Sequence, residues 1–437
     1  MITRTKNQLR RLLPGNTFAR GVGVLVGGTA GAQLLTVLAA PLLTRLYSPE
    51  DFGLLAVYAS LLTLIGVISS LRYELAIPLP EDDGEAANVA ALSLILVGIN
   101  SLLSGVLVWQ LGPAIADALG VPALASYLWL LPVGVLIGGA YTVFNYWAIR
   151  AKRFSTIAGT KLRQTIATIA IQLAAFKLGG IALLYAQVAG QSIGTTSLGR
   201  TALVSAGFRQ VTWGGIVMVA VRYRRFPIFS SWEALVNNVA NQLPAILFAS
   251  FFGPVFVGLY ALSHRVLLLP MTVVGAAIDQ VFLSNAPTAY RSGTLGALVH
   301  KLHFTLSSTA IPPALLIIFL GQELFAFAFG ETWIGAGEVA QWMAPWIYFQ
   351  FVSSPISTVF AVRERLREAL LFQVISLIAR FAAILVGVWI GDFITAIAIF
   401  SVTSGLCYIG LLFWTVMLAE NRQHFFLLPD LKARWVK

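Results

Sequence analysis

The feature that most constrains this sequence is a series of apolar stretches, each about as long as a bilayer is thick. Roughly 20 apolar residues in an α-helix cross a hydrocarbon core of about 30 Å. The sequence predicts about twelve such spans, at 21–44, 52–71, 88–111, 126–149, 159–177, 181–206, 229–252, 255–284, 298–320, 337–362, 368–390 and 392–418. Only 11% of the 437 residues are charged. A soluble protein is excluded, because soluble domains carry about 25% charged residues.

The basic residues are distributed very unevenly between the two predicted sides of the membrane. With a cytoplasmic N-terminus, the inside segments hold twenty-five Lys and Arg residues and the outside segments two, Arg45 and Lys177. Cytoplasmic loops carry such an excess, so both termini are predicted to be cytoplasmic. The same distribution explains the net charge of +11 without a nucleic-acid partner, since these residues face membrane lipids.

One apolar stretch is too short to cross the bilayer. Trp213–Val221 is followed by Arg222, Arg224 and Arg225. Apolar residues beside clustered arginines are typical of helices that lie in the membrane interface. We predict an interfacial connector at the cytoplasmic face.

Several classes of protein are excluded or weakened by missing motifs. The sequence contains no G-x-x-x-x-G-K-[ST] phosphate loop and no H-E-x-x-H zinc motif. Its single cysteine, Cys407, excludes a disulfide framework and a cysteine metal cluster. His300 and His303 are three residues apart, but two histidines alone are a weak metal signal. The short outside loops also lack the clustered acids or histidines that a membrane enzyme would need, so no enzymatic activity is predicted.

An internal repeat divides the chain into two halves. At an offset of 205 residues, Pro49 matches Pro254 and Gly53 matches Gly258, within Tyr47–Ala56 and Phe252–Ala261. Six spans in each half place the halves in the same orientation, and parallel repeats of this kind build transporters with a site between two lobes. The predicted fold is an all-α polytopic membrane protein with two six-helix lobes, 1–207 and 208–437, around a central cavity.

Two arginines, Arg265 and Arg380, lie deep inside predicted spans. A charge at the centre of a membrane helix costs roughly 2.5–3.5 kcal/mol on insertion scales, so such residues are candidate functional sites. Two interpretations stay open. Each arginine either satisfies backbone carbonyls or an acid on a neighbouring helix, or it faces a polar lumen.

Acidic residues near span ends form a second group of candidates. Arg72 and Glu74 close the second span, either as an interfacial anchor or as a gating ion pair or titratable carboxylate. The repeat offset places Glu74 on Asp279, an acid on an acid. Glu233 begins the seventh span, where the helix dipole stabilises a negative charge, and a coupling role is the alternative.

Amide side chains are concentrated in the seventh span. They occupy two adjacent helix faces at i,i+4 spacing, and they hydrogen-bond either to neighbouring helices or to sugar hydroxyls. These residues are Asn237, Asn238, Asn241 and Gln242.

Five segments of the sequence stand out as motifs: Leu43–Gly53, Leu71–Ile77 with the acidic loop Glu81–Glu85, Arg222–Pro227, Gly258–Arg265 and Phe329–Trp333. They resemble motifs of the oligosaccharide flippase family, the polysaccharide and lipopolysaccharide biosynthesis branch of the multidrug/oligosaccharidyl-lipid/polysaccharide exporter superfamily. The resemblance covers nearly the whole chain.

The resemblance implies a bacterial inner-membrane flippase that moves a polyprenyl-diphosphate-linked oligosaccharide to the periplasmic leaflet. The oligosaccharide would be a repeat unit of O-antigen, capsule or exopolysaccharide, and the polymerase and chain-length regulator of the same pathway are implied as partners. Arginines suit a diphosphate, because a guanidinium binds phosphate oxygens in pairs. The candidates for a cationic lumen are Arg20, Arg45, Arg72, Arg265 and Arg380. No cofactor is expected.

Energy coupling to Na⁺ or H⁺ is common in the superfamily, and Glu74, Glu233 and Asp279 are the candidates for coupling or gating. The main alternative function is a cation-coupled multidrug exporter of the sister branch. That function favours an acidic cavity, whereas the deepest charges in this sequence are arginines.

Overall fold

The structure, a computed structural model, is built from helices. It describes residues 17–420 apart from 272–274, 276, 277, 279–281, 283–285, 287 and 364; of residues 17–22, 270, 361 and 366 it describes the backbone alone. Twelve helices of 17 residues or more follow one another in this part of the chain. They are α1 (Thr17–Leu43), α2 (Pro49–Val67), α3 (Asp83–Ala118), α4 (Leu130–Arg150), α5 (Phe154–Ala174), α6 (Gly180–Leu203), α7 (Ser231–Phe252), α8 (Pro254–Pro270), α9 (Leu295–Phe329), α10 (Ile334–Ser353), α11 (Leu366–Ile390) and α12 (Phe393–Ala419).

Each of these helices overlaps one of the predicted spans. Eight helical segments of the described chain are long and apolar enough to cross a membrane; α5 and α6, which polar residues dilute, are not among them, nor are α8 and α10. The predicted tenth span runs to residue 362, but α10 ends at Ser353 and a 3₁₀ turn, Ser354–Ile356, follows. Pro355 explains the early end, because proline has no N–H to donate to the preceding turn.

The predicted interfacial connector is also a helix, Trp213–Arg222, which we call the connector helix. Thr212 caps its N-terminus, where the side-chain oxygen accepts a hydrogen bond from the Gly215 N–H at 3.1 Å. Such a cap satisfies a backbone donor that has no partner within the helix.

Packing divides the chain into two compact units. Among the described residues, unit 1 comprises those of 17–269 and 322–337, and unit 2 comprises those of 270–321 and 338–420. Helix α9 passes from one unit to the other beside Leu320, whose backbone leaves the helical region (φ −125°, ψ 20°). The predicted lobe boundary at residue 207 stays a prediction.

Unit 1 has its core among the first six helices. Helix α1 packs on α5, α5 on α6, α6 on α4, and α4 on α3. A buried cluster that includes Val89, Phe144, Leu198 and Ile216 joins α3, α4, α6 and the connector helix. The connector helix is therefore fixed to the end of this bundle.

Unit 2 has a core of its own. Leu306 of α9, Phe351 of α10 and Val359 are buried together in one cluster. Helices α11 and α12 pack along each other. Asp392 caps α12, where its carboxylate accepts a hydrogen bond from the Thr395 N–H at 2.7 Å.

Candidate functional site

The starts of α2 and α8 touch each other at one end of unit 1. A Cβ atom placed on Gly53 would lie 1.8 Å from the carbonyl oxygen of Pro254, and one on Gly258 would lie 1.8 Å from the carbonyl oxygen of Pro49. Only glycine allows two backbones to approach so closely. We call this contact of Pro49, Gly53, Pro254 and Gly258 the seal.

The seal joins the two copies of the internal repeat. Pro49 and Gly53 become Pro254 and Gly258 when 205 is added to their numbers. The Gly53–Pro254 contact therefore becomes the Gly258–Pro49 contact under the repeat. Such an exchange is the property of a two-fold interface, here formed between two segments of one chain.

Local sequence explains why α2 begins at the seal. Ser48 and Asp51 form a capping box, in which the Ser48 N–H donates to the Asp51 carboxylate at 2.9 Å and the Asp51 N–H donates to the Ser48 hydroxyl at 3.2 Å. Pro49 occupies the first helical turn, where the missing N–H is tolerated. The turn is thus set by residues within it.

Buried polar and aromatic contacts surround the seal. Trp333 is fully buried; its Nε1–H donates to the Thr44 carbonyl at 2.9 Å, and its ring meets Phe52 edge-on with centroids 5.0 Å apart. The Ser263 hydroxyl donates to the Ala336 carbonyl at 2.6 Å. Within unit 1 these bonds tie α2 and α8 to the segment that begins α10.

The opposite end of α2 carries a strained, charged turn. Leu71 and Arg72 have left-handed backbone conformations (φ 49° and 63°), which residues other than glycine adopt rarely. The side chain of Glu74 is only 2% exposed; it accepts a short hydrogen bond from the Ser70 hydroxyl and lies 3.4 Å from Arg72 Nη1. We call Ser70–Glu74 the acidic turn.

The buried position of Glu74 determines its electrostatics. Burial raises the pKa of the Glu74 carboxyl above its ordinary value of 4.5, and the Ser70 hydrogen bond and the charge of Arg72 reduce the shift. Arg72 Nε is buried and has no hydrogen-bond partner among the described residues. The structure thus brings together the predicted pair Arg72 and Glu74.

Arg150 fixes the chain that follows the acidic turn. Its Nε and Nη2 donate hydrogen bonds to Asp83 Oδ1 at 3.1 and 2.9 Å. Two backbone carbonyls are also bound: that of Glu81 by Nη2 at 3.0 Å, and that of Pro80 by Nη1. Its side chain is 13% exposed. Arg150 was not among the predicted site residues, because most of its partners are backbone carbonyls, which leave no mark in a sequence.

The connector helix is bonded to the same end of unit 1. The Tyr73 hydroxyl donates to the Ala220 carbonyl at 2.9 Å. Glu85 accepts hydrogen bonds from Arg222 Nη1 at 2.7 Å and from the Tyr223 hydroxyl at 3.0 Å. The acidic turn and the connector helix are therefore held together.

The remaining predicted arginines of unit 1 lie in different segments. Arg45, beside the seal, and Arg72 are separated by the length of α2, about 28 Å at 1.5 Å per residue, so they cannot bind the same phosphate group. Arg265 lies in α8 with its side chain exposed, and none of its hydrogen bonds or ion pairs lies in the described part of the chain. Of Arg20 in α1 only the backbone is described, and Asp279 lies outside the described residues.

In unit 2, Arg380 of α11 stacks on an aromatic ring. Its guanidinium carbon lies 4.9 Å from the centroid of Tyr408 in α12, and its Nε is buried without a hydrogen-bond partner in the described residues. An arginine over a tyrosine face is stabilised by the ring quadrupole. The guanidinium group is thus held against the ring while its Nε–H has no partner among the described residues.

The amide cluster of α7 makes mainly local hydrogen bonds. Asn238 Nδ2 donates to the Ala234 carbonyl at 2.8 Å, and Asn241 Nδ2 donates to that of Asn237 at 2.9 Å. Gln242 differs, because its Oε1 accepts a hydrogen bond at 3.0 Å from Ser60 of α2. Glu233 is exposed in the first turn of α7.

Unit 2 contains a cavity of about 480 Å³ lined by Tyr290, His300, Arg363 and Glu420 among others. His300 Nε2 lies 2.5 Å from Glu420 Oε1. Arg363 Nε and Nη2 donate to the Leu418 carbonyl at 2.9 and 2.6 Å. In the described ranges no group of three or more His, Cys, Asp or Glu side chains is placed to hold a metal.

The seal joins two repeat copies within a helical membrane protein, and sequence comparison identifies the family. The profile described as "Polysaccharide biosynthesis protein" matches residues 42–338, more than half of the chain. The chain belongs to this family. No curated protein sequence matches it.

Solved structures show the same fold as this polysaccharide biosynthesis protein. The lipid II flippase MurJ, in an inward closed conformation, is 14% identical with a TM-score of 0.71, and the match covers 91% of this chain and 90% of the flippase. A multidrug resistance MATE family transporter of the MOP superfamily, in an inward-facing conformation, is 14% identical with a TM-score of 0.64, covering 92% and 95%. The predicted superfamily fold and family are confirmed.

Proposed function

We propose that this protein is a flippase that moves a polyprenyl-diphosphate-linked oligosaccharide across the bacterial inner membrane by alternating access. The polysaccharide biosynthesis family and the flippase-like fold support a lipid-linked saccharide as cargo. Neither the family nor the fold identifies the exact cargo or the direction of transport, and we propose these in addition.

The observation that carries the proposal is the seal. Transporters built from parallel repeats work by rocking one repeat against the other, and the seal is a contact between repeat copies that a rocking motion would break and remake. The predicted topology puts the starts of α2 and α8 on the periplasmic side. The seal would then lie on the periplasmic side of unit 1.

The cargo needs a polar, cationic route. An oligosaccharide that entered lipid would leave each hydroxyl without a hydrogen-bond partner, and the diphosphate carries negative charge. Arg265 and Arg380 have donors that no described residue uses, which suits phosphate recognition. Arg72 is a third candidate, and Arg20 and Arg45 stay predictions.

Energy coupling is proposed to involve Glu74. A buried carboxyl with a raised pKa can take up or release a proton as its surroundings change. Glu233 and Asp279 stay candidates, with Na⁺ or H⁺ as the coupling ion.

The test uses a strain that lacks the gene and carries variants on a plasmid. We expect Arg265→Ala and Arg380→Ala to insert normally, lose export of the polysaccharide and accumulate complete lipid-linked repeat units facing the cytoplasm. Arg291→Ala, which removes an exposed arginine, is the matched control and should export normally. Full export by the Arg265→Ala, Arg380→Ala double variant would refute the cationic route.

A cation-coupled multidrug exporter is the alternative, because MATE transporters share the fold. Resistance to cationic dyes on overexpression, with lipid-linked oligosaccharide pools unchanged in the deletion strain, would establish that function instead.

A further inference from the structure

The connector helix has two apolar faces, and protein covers one of them. Ile216 and Val219 are buried in the core of unit 1. On the other side Trp213 is 73% exposed, and Val217 and Val221 are more than half exposed. Residues 213, 217 and 221 follow one another at i,i+4 spacing, so they form one stripe.

Two exposed arginines lie immediately beyond this stripe. Arg224 and Arg225 are exposed, and no ion pair of either is present in the described part of the chain. Arg222 differs, because Glu85 neutralises it at 2.7 Å. We call Trp213, Val217, Val221, Arg224 and Arg225 the headgroup patch.

We infer that the headgroup patch binds anionic phospholipid of the leaflet that faces it. The apolar stripe enters the boundary between acyl chains and headgroups, as in other interfacial helices, and the two guanidinium groups bind headgroup phosphates. Charge complementarity selects this occupant. A protein partner would leave both arginines uncompensated unless it were itself acidic, whereas a membrane protein always has lipid beside it.

The bonds of the connector helix give this binding a second consequence. The Ala220 carbonyl accepts the hydrogen bond of Tyr73, which belongs to the acidic turn. Glu85, near the start of α3, binds Arg222 and Tyr223 on either side of the end of the connector helix. Lipid that holds the connector helix in the interface therefore also holds the acidic turn in its strained conformation.

Lipid binding by the purified full-length protein tests the inference. Native mass spectrometry in mild detergent would compare titrations with phosphatidylglycerol and with phosphatidylcholine. A basic residue near an anionic surface contributes about fivefold in affinity, so the Arg224→Gln, Arg225→Gln variant should bind phosphatidylglycerol roughly 25-fold more weakly. Its binding of phosphatidylcholine should change little.

The matched control removes two positive charges from exposed positions elsewhere, by Arg291→Gln and Lys301→Gln. It should lose far less affinity for phosphatidylglycerol than the Arg224→Gln, Arg225→Gln variant does. Equal weakening in both double variants, or equal affinity for the two lipids in the unaltered protein, would overturn the inference.

A second measurement depends on the apolar stripe alone. In nanodiscs, phosphatidylglycerol with brominated chains should quench part of the tryptophan fluorescence, and Trp213→Phe should remove part of the quenched amplitude. Unchanged amplitude would place Trp213 outside the membrane and overturn the inference. Neither measurement involves transport, so failure here is separate from failure of the proposed flippase function.

Discussion

The two ends of α2 are held in opposite ways. At the seal, Gly53 and Gly258 press against proline carbonyls, and the contact depends on shape. At the acidic turn, a buried carboxylate, an arginine and a hydroxyl hold a strained backbone, and the contact depends on charge. A change of side-chain volume should therefore act on the first end, and a change of pH or charge on the second.

The largest effect is expected from a methyl group at the seal. Gly53→Ala puts a Cβ 1.8 Å from the Pro254 carbonyl oxygen, and because that oxygen belongs to the backbone, the cost should exceed the roughly 1–3 kcal/mol of ordinary overpacking. The closed seal should open. Thr44→Cys in a Cys407→Ser background, which places one thiol at a buried position beside Trp333, should then react faster with an impermeant maleimide.

Gly66→Ala is the control for this substitution, because it lies in the same helix and a Cβ there would meet nothing within 4 Å. Gly258→Ala should reproduce the effect of Gly53→Ala through the exchanged contact. A Gly53→Ala protein that is labelled no faster than Gly66→Ala would show that the seal does not depend on glycine.

An intermediate effect is expected from Arg150→Gln at the charged end. The substitution removes the donors that hold the Pro80 and Glu81 carbonyls and Asp83. Because hydrogen bonds to charged groups contribute about 1.5–3 kcal/mol each, we expect unfolding in detergent to become easier by about 2–3 kcal/mol. Asp83→Asn should cost under about 1 kcal/mol, since that carboxylate is 73% exposed. Equal losses would contradict the assignment to the backbone carbonyls.

The smallest effect is a change in pH dependence. The pKa of Glu74 is raised in the folded protein, so the folded state binds more protons than the unfolded state between pH 4.5 and the raised pKa. Stability must fall as pH rises from the unfolded pKa through the folded one. The difference in stability between the unaltered protein and Glu74→Gln, measured at a series of pH values, should show this slope; a constant difference would mean that Glu74 does not titrate in this range.

How much could be predicted from the sequence depends on which force shapes each element. The helices follow apolar runs, so the existence of each was predictable, although α10 ends before its predicted span does. The connector helix was recognisable from Trp213–Val221 and its arginines. Arg72 and Glu74 were recognisable as a pair. The burial of Glu74 was not, because it depends on two left-handed residues that no local motif indicates.

The contact at the seal was also not predictable from the sequence. The offset of 205 residues was visible in the sequence, but that the two copies touch was not, because a repeat gives equivalence and says nothing about contact. Arg150 was invisible for a similar reason, since backbone carbonyls are common to all residues.

In evolutionary terms, the exchanged contact of Gly53 and Gly258 is a homodimer interface within one polypeptide. A six-helix ancestor could have made the same contact with a second copy of itself, because both copies would have presented the same proline and glycine at the same turn. Joining the copies in one chain would keep the two turns at a high effective concentration, so that the contact re-forms readily each time it breaks. Selection on either glycine now acts on both halves, so the two positions are expected to vary together among relatives.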